Sequence, residues 1–203
     1  SEPGEMDRLA AVIEPTIGIF TNLGAAHSEG FLSMEQKLEE KWKLFRHAGI
    51  VIFRQGNPIV DEWAQVKAAG GIGLFTWGRD EDCTMRVSDD LVIRYEDQSI
   101  RLQPPFTDDA SVENLLHCCA CLLLLGIDIH SLNDRIRQLR PVAMRLELKE
   151  GISSCSLIND SYSADLSSLD IALDFLQRQQ QHLRKTVILS DIPQSGLDSG
   201  QLY

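Results

Sequence analysis

The order of apolar and polar positions along this chain of 203 residues predicts that strands and helices alternate. Three short apolar runs, rich in β-branched residues, are typical of strands buried on both faces: residues 16–21, 50–53 and 72–77. Stretches with helical periodicity lie between or before them, at residues 6–13, 33–46 and 60–69. This alternation favours an α/β fold in which a mainly parallel sheet carries helices on its faces.

The pattern changes after Gly78. Three short alternating runs follow, at residues 85–87, 91–95 and 99–102, and they predict a small antiparallel meander. Two helices are then expected, at residues 111–125 and 132–139.

Pro141 ends the second of these helices and is the candidate hinge between two domains. Beyond it the pattern predicts two paired strands around Gly151, at residues 146–148 and 156–158, then a helix at 166–180 and a last strand at 187–189. Both ends of the sequence look cut, because no strand precedes the first helix and no helix follows the last strand. We therefore expect a fragment, with residues 1–141 the later part of one domain and residues 142–203 the start of another.

Composition narrows the function. Thirty acidic against 19 basic side chains give a net charge of −11, which argues against binding to nucleic acid or to an anionic membrane surface. The longest apolar stretch, residues 115–127, is interrupted by His117 and falls short of the roughly 20 residues that span a bilayer. Five cysteines, three of them crowded together, do not form a disulfide framework. A cytoplasmic protein is the expectation.

Lys41 is the most informative single residue. On a helical wheel it lies inside the apolar stripe that Leu38 and Trp42 help to form, whereas Lys43 points to the opposite side. An amine on a buried face is costly unless it is paired, neutral or modified. Its stem could simply pack while the ammonium reaches the rim. Alternatively the amine serves a polar site, either as a cation or as a carbamylated metal ligand.

Other candidates follow the predicted strands. His27 and Glu29 come after the first strand, and residues 159–162 (Asn-Asp-Ser-Tyr) come after a later one, at the strand ends where open α/β sheets bind ligands. Each set could equally be an ordinary loop. Cys118, Cys119 and Cys121 lack a second ligand pair for zinc and are expected to pack in the core. No G-x-x-x-x-G-K-[ST] loop occurs in these 203 residues.

Together these segments resemble the Mur ligases, and most closely the branch that adds D-alanyl-D-alanine to UDP-MurNAc-tripeptide. The resemblance rests on four features in order. The first is Pro-Gly-Glu-Met at residues 3–6 together with Thr-Asn-Leu-Gly-Ala-Ala-His-Ser-Glu-Gly-Phe at residues 21–31, and the second is Lys41, 14 positions after His27. The third is Asn114, followed by a helix similar to the family's N-A-L-A-A, and the fourth is Arg145, 15 positions before Asp160. The family's amino-terminal domain and Walker loop have no counterpart here. Residues 162–166 and 190–196, and Ala110 in place of a histidine, also depart from the family pattern.

The resemblance implies a part of the central domain of a Mur ligase, followed by the start of its Rossmann-like carboxyl domain. It also implies a role for each matching residue. His27 would help to bind a second Mg²⁺, and Lys41, carbamylated, would serve the same metal. Asn114 would contact the adenine side of ATP, Arg145 its phosphates and Asp160 its ribose.

The implied reaction uses ATP and Mg²⁺ to convert a substrate carboxylate into an acyl phosphate, which the amine of D-Ala-D-Ala then attacks. Because phosphate cradling is missing, the isolated fragment is expected neither to hydrolyse ATP nor to ligate. The resemblance leaves open a fusion of the parent to alanine racemase. Two alternatives stay open: a folylpolyglutamate-type amide ligase, and a non-catalytic module that binds a nucleotide-sugar or a partner. A stand-alone metal hydrolase that uses His27 and a carbamylated Lys41 would have too few ligands to hold its metal.

Overall fold

The computed structural model describes residues 3–24, 31–140, 146–161, 166–192 and 200. Contacts within the chain divide it into two units. The larger unit comprises Ser1–Leu23 and Ser33–Leu139, and the smaller comprises Gly24–Leu32 and Arg140–Tyr203. The two are described separately below.

The larger unit is built on a six-stranded sheet whose strands lie in sequence order. The strands are β1 (Ile17–Phe20), β2 (Ile50–Arg54), β3 (Gly73–Gly78), β4 (Met85–Val87), β5 (Val92–Tyr95) and β6 (Gln98–Arg101). The first three are parallel, with Ile17 opposite Ile50 and Ile50 opposite Gly73. The last three form the antiparallel meander. The predicted α/β class and both parts of the sheet are confirmed.

The junction between the two parts differs from the simple meander that the pattern predicts, because β4 pairs with β3 in the parallel direction. Parallel neighbours ordinarily need a long crossover. Here β4 is displaced along the strand direction, so that only Trp77 and Gly78 pair with it, opposite Met85 and Arg86. A short link is therefore enough, and the meander extends the parallel sheet instead of forming a separate one.

Five helices belong to the larger unit in the described ranges: α1 (Glu5–Ile13), α2 (Met34–Trp42), α3 (Pro58–Ala69), α4 (Asp109–Leu124) and α5 (Leu132–Ile136). Side chains cap three of them at their first turns. Ser33 Oγ accepts from the Gln36 amide at 3.2 Å, which confirms the predicted start of α2. Asn57 and Asp108 do the same for α3 and α4. Helix α2 ends earlier than predicted, because the chain tightens into a 3₁₀ turn at Lys43–Phe45.

Two apolar cores lie on opposite faces of the sheet. Val51 and Phe53 point to one face and Ile52 to the other, and all three side chains are buried. On the first face Leu38 and Trp42 of α2 pack with residues of α3. On the second, α4, α5 and the meander form the larger core. Strand β2 is thus covered on both faces, as its continuous apolar sequence predicts.

The smaller unit contains an antiparallel pair, β7 (Glu147–Glu150) and β8 (Ser156–Asn159), and helix α6 (Leu166–Arg178). The last predicted strand, at residues 187–189, is wrong: the backbone there is irregular. Within the described residues no strand pairs with this segment, and Ile188 is 93% exposed. An apolar, β-branched sequence forms a strand only where a neighbour completes its backbone hydrogen bonds.

A buried carboxylate, Glu40, joins α1 to α2. Its Oε1 accepts from the Met6 backbone N–H at 3.1 Å, and its Oε2 accepts from Lys43 Nζ at 2.8 Å. Burial disfavours the charged form of Glu40, but the hydrogen bonds from Lys43, Met6 and Gly4 outweigh it and lower its pKa. Since Gly4 supplies no side-chain cap for α1, Glu40 takes that role from a neighbouring helix.

Replacing Glu40 by glutamine is expected to lower the free energy of unfolding by about 1–3 kcal/mol, because Lys43 loses a charged partner at a buried position. The loss should shrink as the pH falls through the range in which Glu40 takes up a proton. A carboxylate whose pKa is lowered by folding stabilises the folded state only while it remains charged. Urea unfolding at pH 7 and at pH 3, well below the ordinary pKa of a glutamate, measures both effects. Glu39→Gln is the control, because Glu39 is exposed on the same helix. Equal effects of the two substitutions would contradict the capping role.

Candidate active site

The carboxyl ends of β1, β2 and β3 lie at one edge of the sheet, because the three strands are parallel and in register. Thr21 directly follows β1, Arg54 ends β2, and Trp77 is the penultimate residue of β3. Open α/β sheets bind their ligands at this edge. The predicted site residues of the larger unit can be located against it.

Lys41 lies near the end of β1. The ring of its neighbour Trp42 packs against Phe20, the last residue of β1, with centroids 5.7 Å apart. One turn further on, the Phe45 ring lies against Gly18. Lys41 is therefore level with the carboxyl end of β1, half-buried, and burial lowers the pKa of its amine. Within the described residues no acidic side chain pairs with it.

Lys37 is a buried lysine that sequence reasoning missed. It is 2% exposed, and it precedes Lys41 by four residues, which places both side chains on one side of α2. Burial, and then the charge of Lys41, lower the pKa of Lys37. The wheel that singled out Lys41 puts Lys37 one turn away on the same stripe. The site therefore has two amines on the buried side of α2.

Helix α4 approaches the same edge from the opposite face of the sheet. Arg54 Nη1 donates to Glu113 Oε2 at 2.6 Å, so the first turns of α4 lie beside the end of β2. Asn114, the next residue, is exposed. The structure thus brings Lys41 and Asn114 to one edge of the sheet, on its two faces.

His117 is the second feature that sequence reasoning missed, because the local sequence shows it only as an interruption of an apolar stretch. The imidazole is 2% exposed and packs edge-on against the Trp77 ring at 4.9 Å between centroids. Trp77 Nε1 donates to His117 Nδ1 at 3.0 Å, so the ring proton must sit on Nε2, which is 3.0 Å from the carbonyl oxygen of Thr21. Burial lowers the pKa of His117, which favours this neutral form.

The three cysteines that follow His117 differ in burial, because they lie on different sides of α4. Cys119 is buried, and burial raises the pKa of its thiol to about 12, in agreement with the predicted core role. Cys121 is partly buried against the same core. Cys118 is exposed, so the prediction was wrong for this residue, which lies about 100° round the helix from Cys119.

In the smaller unit Asp160 follows β8, and its Oδ1 accepts from the backbone N–H of Leu146 at 3.0 Å. It is half-buried and lines a cavity of about 570 Å³ between β8, α6 and residues 184–190. A ribose contact by Asp160 stays a prediction. His27 and Arg145 lie outside the described residues, so their placement also stays a prediction.

The residues fit a Mg²⁺ site only in part. In the ranges that the structure describes, no three His, Cys, Asp or Glu side chains are placed to hold a metal. Mg²⁺ prefers oxygen ligands. Lys41 could supply them only as a carbamate, and a half-buried amine with a lowered pKa suits that modification.

No helix in the described part of the chain is long and apolar enough to cross a membrane.

Comparison with known proteins agrees with this α/β fold. Residues 1–122, more than half of the chain, match the Mur ligase middle domain. The chain belongs to the Mur ligase family, and the predicted family is confirmed.

Two curated relatives illustrate the similarity. The UDP-N-acetylmuramoyl-tripeptide–D-alanyl-D-alanine ligase of Bacillus subtilis is 23% identical over 201 residues, which cover 97% of this chain and 44% of the relative. The UDP-N-acetylmuramoyl-L-alanyl-D-glutamate–2,6-diaminopimelate ligase of Vibrio vulnificus is 29% identical over 177 residues, which cover 79% of this chain and 34% of the relative. The chain thus spans less than half the length of these relatives.

Solved structures agree on the fold. A crystal structure of MurF from Acinetobacter baumannii superposes with a TM-score of 0.74 at 21% identity, over 88% of this chain and 41% of that one. A structure of a pseudomurein peptide ligase type C from Methanothermus fervidus superposes with a TM-score of 0.63 at 16% identity, over 80% of this chain and 41% of that one.

Proposed function

We propose that this chain is part of a cytoplasmic, ATP-dependent ligase that joins D-Ala-D-Ala to UDP-MurNAc-tripeptide during synthesis of peptidoglycan precursors. The match of residues 1–122 to the Mur ligase middle domain carries the proposal. The Bacillus subtilis relative, which aligns over nearly the whole chain, supports this choice of substrates.

In this proposal residues 1–141 are the later part of the central domain and residues 142–203 begin the carboxyl domain. The division of contacts after Leu139 supports a boundary in this region. Lys41 and His27 serve a Mg²⁺ ion, Asn114 faces the adenine, and Arg145 and Asp160 contact the phosphates and ribose. The position of Lys41 and Asn114 at the carboxyl edge supports the roles of these two residues, in metal binding and in adenine contact.

The reaction needs a substrate carboxylate to attack the γ-phosphorus of ATP, which forms an acyl phosphate and releases ADP. The amine of D-Ala-D-Ala then attacks the acyl carbon, the C–O bond to phosphate breaks, and the amine loses a proton. Mg²⁺, when bound, would neutralise charge on the transferred phosphoryl group. The half-buried edge around Lys41 would keep that ion in surroundings where its charge acts strongly.

Ligation by the full-length polypeptide that contains these residues tests the proposal. With ATP, Mg²⁺ and UDP-MurNAc-tripeptide, we expect D-Ala-D-Ala to be consumed in step with phosphate release. The 203-residue chain alone is expected to show only background ATP hydrolysis, because it has no Walker loop in its sequence.

A second candidate is the ligase that adds 2,6-diaminopimelate to UDP-MurNAc-L-Ala-D-Glu, favoured by the 29% identity to the Vibrio vulnificus enzyme. The same assay with that substrate pair decides between them. Turnover with neither pair would favour the non-catalytic binding module.

A further inference from the structure

Two consecutive hydrogen bonds through a buried histidine join three elements at the carboxyl edge of the sheet. They run from the indole N–H of Trp77 in β3, through the imidazole of His117 in α4, to the carbonyl oxygen of Thr21 after β1. His117 contributes both contacts, and each spans many residues of sequence. A buried polar group of this kind fixes geometry strongly, since an unsatisfied partner would be costly.

The donors and acceptors allow only one arrangement. Trp77 Nε1 can only donate, so His117 Nδ1 must accept, and Nε2 must carry the proton that goes to Thr21. A protonated imidazole would direct an N–H toward the indole N–H and break the first contact. The charged groups that affect the pKa of the ring are Glu113 on the same helix and Arg54 on β2. They pair with each other, and their effects on the ring oppose one another.

The middle of this series of contacts, His117, and one of its ends, Thr21, lie close in sequence to predicted site residues. Asn114 precedes His117 by three residues, so the two lie on neighbouring turns of one side of α4. Thr21 begins the sequence that continues through Asn22 to the segment carrying His27. An apolar side chain at position 117 would fill the core equally well, but it would leave the end of β1 free to move against α4.

We propose that His117 is a positioning residue, which fixes the nucleotide-facing helix α4 against the end of β1 and so sets the distance between Asn114, the predicted adenine contact, and the carboxyl end of β1, beside which Lys41 lies. The proposal rests on the proposed function. A fixed distance of this kind matters because ATP must contact both places at once, and small misplacements cost large factors in rate.

The decisive variant is His117→Phe in the full-length polypeptide, which keeps a ring but removes both hydrogen bonds. We expect the KM for ATP and the Mg²⁺ concentration for half-maximal ligation to rise by about tenfold. The KM for D-Ala-D-Ala should change by less than about twofold. His117→Gln keeps an acceptor and a donor and should restore most of the loss. Cys118→Ala, an exposed neighbour on the same helix, is the control.

A purely structural role predicts a different result: fewer active molecules, hence a lower kcat with all three constants unchanged. That result would overturn the proposal, as would unchanged kinetics. If His117→Phe does not fold, Trp77→Phe decides, since it removes the first hydrogen bond only. A rise of a few-fold in the KM for ATP alone would then support positioning, and no change would refute it. If the unsubstituted enzyme does not ligate at all, the proposed function fails first.

Discussion

Replacing Lys41 by methionine in the full-length polypeptide is expected to lower the rate of ligation by about 10²–10³-fold, the usual cost of removing one charged group that stabilises a transition state. Methionine keeps the apolar stem that packs along α2, so the fold should survive. Lys67→Met is the matched control, because Lys67 lies on α3, over the Trp63 ring. A Lys41→Met enzyme with more than half of the normal rate would contradict the metal-binding role.

The two chemical roles open to Lys41 can be separated. A neutral amine adds to CO₂ by forming an N–C bond and losing a proton, and the carbamate that results is an anionic oxygen ligand. Arginine keeps the positive charge but does not form this ligand. If the carbamate is the working form, Lys41→Arg should be as slow as Lys41→Met, and ¹³C-labelled bicarbonate should give a carbamate signal that both variants lack. If the cation is the working form, Lys41→Arg should keep much of the rate.

The larger unit could be predicted well from the sequence, because the apolar pattern of each strand shows which of its faces are covered. β2 is apolar at every buried position, and that pattern arises only where both faces of a strand are covered. The start of α2 was equally predictable, since Ser33 needs only a local backbone partner. Local signals of this kind require no knowledge of distant residues.

Features that depend on distant partners could not be predicted in this way. Residues 187–189 have the composition of a strand, but a strand also needs a neighbour. His117 lies 40 residues from Trp77 and 96 from Thr21, and nothing in its local sequence indicates either contact. The burial of Lys37 is different, because it follows from the local pattern: Lys37 lies on the same apolar stripe as Lys41, one turn earlier, and could have been predicted by the same criterion.

The most damaging single substitution in the sheet is expected at Gly18. A Cβ atom there would lie 2.4 Å from Cδ1 and 2.9 Å from Cε1 of the Phe45 ring, far inside contact distance. The ring is 6% exposed and packs edge-on against Trp42, with centroids 6.0 Å apart, so it has little room to move. Gly18→Ala should lower the free energy of unfolding by about 3 kcal/mol, measured by urea denaturation, and Gly18→Val by more.

Gly49→Ala is the matched control, because a Cβ atom there meets only Thr16 O, at an ordinary 3.6 Å. If the clash is the cause, combining Gly18→Ala with Phe45→Leu should recover part of the loss, so the two substitutions would be strongly non-additive. Strict additivity would show that the ring does not limit the space. Because Phe45 and Trp42 together hold Lys41 level with the end of β1, Gly18→Ala should also slow ligation at temperatures where the protein is still folded.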